Sequence, residues 1–162
     1  MPRAACLLTL AALAWTATLL AAPVALAHPV FSASAAIVYA GSARVCHQMP
    51  ERSFHLNGTQ LPVCGRCFGL YAAGALGAAL AWFSRRRVSA PTRGWLAAAA
   101  TPTAVTWSAE VAGLAEFSNV IRAVAALPLG VAGGWVFVQL LRYDSRLDGD
   151  QIHHSRSHVR GG

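Results

Sequence analysis

Apolar and polar stretches alternate along the chain on a scale much longer than a turn of helix. Residues 5–27 are an almost uncharged apolar run, 30–40 a short one, and 67–83, 95–114 and 121–141 three more of near-spanning length. About 20 apolar residues are needed to cross ~30 Å of hydrocarbon. The pattern therefore predicts an all-α, small polytopic membrane bundle with four spans. Residues 30–40, cut off by Pro29, are too short to span and read as a helix lying in the interface or packed on the bundle, with Tyr39 near the headgroups. The first run also fits a secretory leader, because Ala25-Leu26-Ala27 before His28 has the form of a signal-peptidase site. Residues 1–27 are thus a first span or a signal peptide. Cleavage would leave three spans.

Polar segments separate these runs. Residues 28–141 read as the membrane domain. Its loop at 41–67 contains a polar part, 41–63, broken by Pro50, Asn57-Gly58 and Pro62. Arg85, Arg86, Arg87 and Arg93 follow the second span, and Pro102 and Pro128 lie inside the third and fourth. Residues 142–162 are polar, carry His153, His154 and His158, and read as a disordered cytoplasmic tail.

Composition sharpens this reading. Hydrophobic residues make up 56% of the 162 and charged residues 12%, which suits a membrane protein better than a soluble domain. The net charge of +7 comes entirely from Arg, since Lys is absent. With the heavy Ala content, this points to GC-rich coding in a bacterial chain. The Arg residues cluster beside the apolar runs, as orientation signals do, and no nucleic-acid module is visible, so nucleic acid is not an expected partner. With both termini inside, Arg3, Arg85, Arg86, Arg87, Arg93, Arg142, Arg146, Arg156 and Arg160 face the cytoplasm. Arg44, Arg52, Arg66 and Arg122 face out, so the bias predicts a multi-pass cell-membrane protein with its cysteine loop outside.

Three of the four cysteines lie between Cys46 and Cys67; Cys6, in the first run, reads as an inert apolar thiol. The stretch contains Cys46, His47, Gln48, Arg52, Ser53, Phe54, Gly58, Leu61, Pro62, Cys64, Arg66, Cys67, Gly69, Tyr71 and Gly74. At these spacings it resembles the domain of unknown function 2085 family, predicted membrane proteins of bacteria and archaea. Phe68 departs from that pattern, where a small polar residue is usual. The resemblance implies an integral membrane protein and supplies no activity.

Cys64-Gly65-Arg66-Cys67 opens an apolar helix, and three chemistries suit it. Two thiolates separated by two residues can chelate a tetrahedral ion. Cys46 with His47 or His55 would complete a closed Cys₃His zinc site of structural type. The helix N-terminus and Arg66 favour deprotonated sulfur. A reactive thiol pair at a helix start also suits thiol–disulfide exchange, with Cys46 as shuttle and a quinone as electron acceptor. A static disulfide, Cys64–Cys67 or Cys46–Cys64, is the third reading.

His47 as a general base competes with a bland alternative, in which Gln48, Glu51, Arg52 and Ser53 form a network holding the loop, with Arg52 paired to Glu51 or Glu116. Charge at bilayer depth is costly, so Glu110 and Arg122 should pair, beside Asn119; an ion or substrate path is the functional alternative. Gly65, Gly69, Ala73, Gly77 and Ala81 recur every four residues and align on one helix face. That face should meet Gly130 and Gly134 of the last span, or a second copy or membrane partner.

Overall fold

A computed structural model describes residues 3–84, 88 and 91–159, with residues 91, 93 and 143–159 described by their backbone alone. Arg85, Arg86, Arg87 and Arg160 lie outside the described residues. Among the described residues five α-helices form: α1 Arg3–Leu26, α2 Ser32–Ser42, α3 Gly65–Leu80, α4 Pro91–Val111 and α5 Asn119–Val159. They fall where the apolar runs predict them. α1 and the part of α5 from Asn119 to Arg142 are each 24 residues long and apolar enough to cross a membrane. α3 has 16 residues, a rise of roughly 24 Å at 1.5 Å per residue. The backbone of α5 continues without a break from the last apolar run to Val159, through the stretch where the sequence predicts a disordered tail.

The polar segment 41–63 is more ordered than a loop. A 3₁₀ turn, Pro50–Arg52, leads into an antiparallel hairpin of β1, Ser53–Leu56, and β2, Thr59–Cys64. Asn57 (φ 51°) and Gly58 (φ 80°) form its two-residue turn. Positive φ at both positions gives a turn whose twist matches that of the strands, and Asn-Gly is the usual pair for it. The register slips between Ser53 and His55, as in a β-bulge.

α3 packs most extensively on α5, and α1 packs on α3. The α3–α5 pair is parallel: Gly65 lies against Asn119, Gly69 against Ala123 and Gly77 against Val131. A methyl group added to Gly77 would sit 2.1 Å from the Val131 carbonyl oxygen, and one on Gly134 2.0 Å from that of Gly74. Only glycine lets the backbones approach this closely. The small-residue face of α3 is therefore occupied by α5 of the same chain.

α1 runs antiparallel to α3. Trp82 donates its indole N–H to Thr9 Oγ1 (2.9 Å) near one end, and Trp15 meets Tyr71 edge-on (6.2 Å between centroids) toward the other. Ala5, Ala78, Ala81 and Val138 form a core at the first end. Leu19, Cys46 and Val63 form a second core at the hairpin end.

Candidate metal centre

The hairpin delivers Cys64 to the N-cap of α3, so Gly65, Arg66 and Cys67 make the first helical turn. Cys46 arrives from the other side, where the chain leaves α2 in a tight turn closed by Cys46 N–H to the Ser42 carbonyl (2.9 Å). Leu19 and Val63 bury it. The Cys64 N–H then donates to Cys46 Sγ (3.1 Å). The three sulfurs of Cys46, Cys64 and Cys67 all lie within 4.8 Å of one another. No disulfide joins them, and Cys6 lies apart, exposed on α1.

The Cys64 thiol is pulled down to about 5. The Cys67 side chain, hydrogen-bonded to it, is the main cause; the Cys67 backbone, Cys46 and the Arg66 backbone add to it, against a burial effect that opposes ionisation. A thiol with this bias is ionised near neutrality, which metal ligation requires.

The two candidate histidines stand outside the three-sulfur cluster. His47 is exposed and lines the rim of a cavity beside it. His55 is exposed on β1, opposite Gln60. The cavity holds about 300 Å³ and is lined by the three cysteines together with Arg66, Glu110 and Arg122.

Glu110 joins three helices. One carboxylate oxygen accepts from Arg122 Nε (2.6 Å), the other from Arg66 (2.9 Å). The expected Glu110–Arg122 pair therefore gains a third member, Arg66, which also contacts Thr106 Oγ1 (3.4 Å). Arg122 holds Asn119 Oδ1 (2.8 Å), and Asn119 Nδ2 reaches the Ser53 carbonyl on β1 (2.9 Å). Among the described residues both ion pairs converge on Glu110. Glu51, Arg52 and Glu116 are exposed, and Arg52 pairs with neither acid.

The network that fixes the loop uses amides and hydroxyls instead. Gln48 donates to the carbonyls of Tyr39 (2.8 Å) and Pro62 (2.7 Å), which hold it at a φ of 49°. Gln60 donates to the Gln48 carbonyl (2.6 Å) and to Ser53 Oγ (3.2 Å); the Tyr39 hydroxyl donates to the Gln60 carbonyl. Sequence reasoning singled out Gln48 and Ser53 but missed Gln60, whose only signal is its place two residues past the Asn-Gly turn. Phe68 packs edge-on against Phe54 (6.0 Å), fastening the hairpin to α3.

No solved structure matches the chain. An uncharacterized protein of Methanocaldococcus jannaschii is 34% identical over 95 residues, 57% of this chain and 61% of that one. The chain thus spans less than two thirds of that relative's length. An uncharacterized protein of Methanothermobacter thermautotrophicus is 30% identical over 99 residues, 61% of this chain and 88% of that one. The family model described as "Predicted membrane protein", domain of unknown function 2085, matches residues 46–136, from the first cysteine of the cluster well into α5. That match takes in more than half of the chain and all three clustered cysteines, and the chain belongs to this family.

Proposed function

We propose that the chain is a small multi-pass membrane protein whose Cys46, Cys64 and Cys67 hold one zinc ion. The observation that carries this reading is the convergence of three sulfurs from two chain segments, Cys46 and Cys64–Cys67, all within 4.8 Å of one another. Tetrahedral zinc with Zn–S bonds of about 2.3 Å sets its sulfurs roughly 3.8 Å apart, so a small inward adjustment closes the site. The ion would tie the end of α2, the end of β2 and the first turn of α3 together, and its binding energy would add to folding. His47 and His55 are both exposed outside the cluster, which supports three protein ligands rather than four.

For the membrane we infer four crossings, by α1, α3, α4 and α5, with α2 at the interface, the cysteine loop outside the cytoplasm and the C-terminus inside. The Arg distribution and the alternating helix directions support this. α1 supplies Thr9, Trp15 and Leu19 to contacts with the rest of the chain, which favours a resident helix over a cleaved leader. Apolar side chains turned outward, such as Ile37 (72% exposed) and Phe83 (86%), suit a lipid surround. Because α5 occupies the small-residue face of α3, a second copy or membrane partner would dock on another face.

The test is metal analysis of full-length protein purified without chelator, paired with a free-thiol count. About one zinc per chain, lost in Cys64→Ser, is expected. A chain without metal in which Cys64 and Cys67 cycle between dithiol and disulfide on addition of a quinone would replace zinc with thiol–disulfide exchange.

A further inference from the structure

The cavity beside the cysteines carries more positive charge than its protein partners balance. Arg66 and Arg122 share one carboxylate, Glu110, whose side chain is only 4% exposed. Arg52, on the rim, has no ion-pair partner among the described residues. Three guanidinium groups, one carboxylate and the three cysteine sulfurs thus line a single space; zinc on three thiolates would carry a net charge of −1, which still leaves the space positive. Arg66 uses Nη2 for Glu110 and Thr106, and Arg122 uses Nε and Nη1 for Glu110 and Asn119. Arg66 Nη1, Arg122 Nη2 and the whole Arg52 guanidinium make no hydrogen bond among the described residues. The cavity also has an apolar side, Trp107, and its rim opens through exposed Val45 and Met49.

Resting on the zinc reading, we propose that this cavity binds a small organic acid, whose carboxylate takes the fourth position on the ion and is held by the surrounding guanidinium groups. Three protein ligands leave a tetrahedral ion one position for an outside ligand. Guanidinium groups match a carboxylate in both charge and fork geometry. At about 300 Å³ the cavity far exceeds the ~30 Å³ share of a single water molecule. Together with Trp107, that room suits an acid with a carbon skeleton better than a bare inorganic ion. Glu110 orients Arg66 and Arg122 and keeps the excess charge moderate.

The experiment uses the full chain in detergent, loaded with cobalt(II) in place of zinc, and follows the visible bands of the ion while acetate is added. Acetamide, of the same size but neutral, is the control. A saturable change with acetate and none with acetamide is expected. Arg52→Gln, at an exposed position, should weaken acetate binding roughly three- to ten-fold with cobalt uptake unchanged. Cobalt uptake with no response to acetate overturns the proposal and leaves the metal centre standing. An equal response to acetamide, or an Arg52→Gln protein that binds acetate as the native chain does, overturns recognition by charge. Failure to take up cobalt overturns the proposal together with the metal centre beneath it.

Discussion

α3 and α4 are held against α5 by opposite means. α3 meets α5 backbone to backbone, through Gly65, Gly69 and Gly77 on one side and Gly130 and Gly134 on the other. α4 buries no apolar residue among those described and leaves Trp95 and Val105 at 74% and 60% exposure. Polar hooks hold it instead. Glu110 takes Arg66 and Arg122, and Thr103 Oγ1 donates to the Ala125 carbonyl of α5 (2.7 Å). With α3 and α4 crossing the membrane as proposed, neither arrangement can rely on the hydrophobic effect between helices; close packing and interhelical hydrogen bonds remain. The contrast is that steric bulk should break one contact and loss of charge the other.

The largest effect should come from bulk in the α3–α5 contact. Gly77→Leu forces a side chain into the Val131 backbone and should cost at least about 3 kcal/mol, enough to prevent recovery of folded protein from detergent. Thermal unfolding of the purified variant reads this; a melting profile like that of the native chain would mean the helices do not approach so closely.

Next in size is Glu110→Gln. It leaves buried Arg122 and half-buried Arg66 without a counter-charge and should cost about 3 kcal/mol, the scale for breaking a buried pair. Limited proteolysis should then cut the 112–118 turn faster, because α4 loosens while α3 and α5 stay joined. Equal loosening of both contacts would erase the distinction between them.

Thr103→Val should cost about 1 kcal/mol, the net worth of one hydrogen bond. Gly133→Ala is the control at the bottom of the scale. Nothing lies within 4 Å of a methyl group placed there, so it should stabilise α5 by up to about 1 kcal/mol through helix propensity. A loss of stability there would mean that the open side of α5 is covered by another helix or a second copy.

Much of the helical frame was legible, because lipid-length apolar runs and four-residue spacing of glycine leave large signals. The stripe from Gly65 to Gly77 points to a close neighbour on α5, though its glycines meet Asn119, Ala123 and Val131, and Gly130 and Gly134 lie against Ala73 and Gly74 beside it. The hairpin was not legible. Ser53–Leu56 is short, Pro62 interrupts Thr59–Cys64, and alternation is too weak to outweigh the polar composition; only Asn57-Gly58 marked the turn. At the site, the three cysteines were readable from Cys-x-x-Cys plus one more. The placement of the histidines was not, since adjacency of His47 to Cys46 says nothing about the direction of its side chain. Arg66 was read as a neighbour of the thiols, and its reach to Glu110 across α4 depends on helix packing that spacing does not encode.

Zinc-edge X-ray absorption on full-length protein purified without chelator decides whether Cys46, Cys64 and Cys67 hold an ion. About one zinc per chain is expected, with three sulfur neighbours at about 2.3 Å and a lighter nitrogen or oxygen atom in the fourth position. Protein free of zinc, with Cys46, Cys64 and Cys67 all open to alkylation or two of them joined as a disulfide, would contradict it.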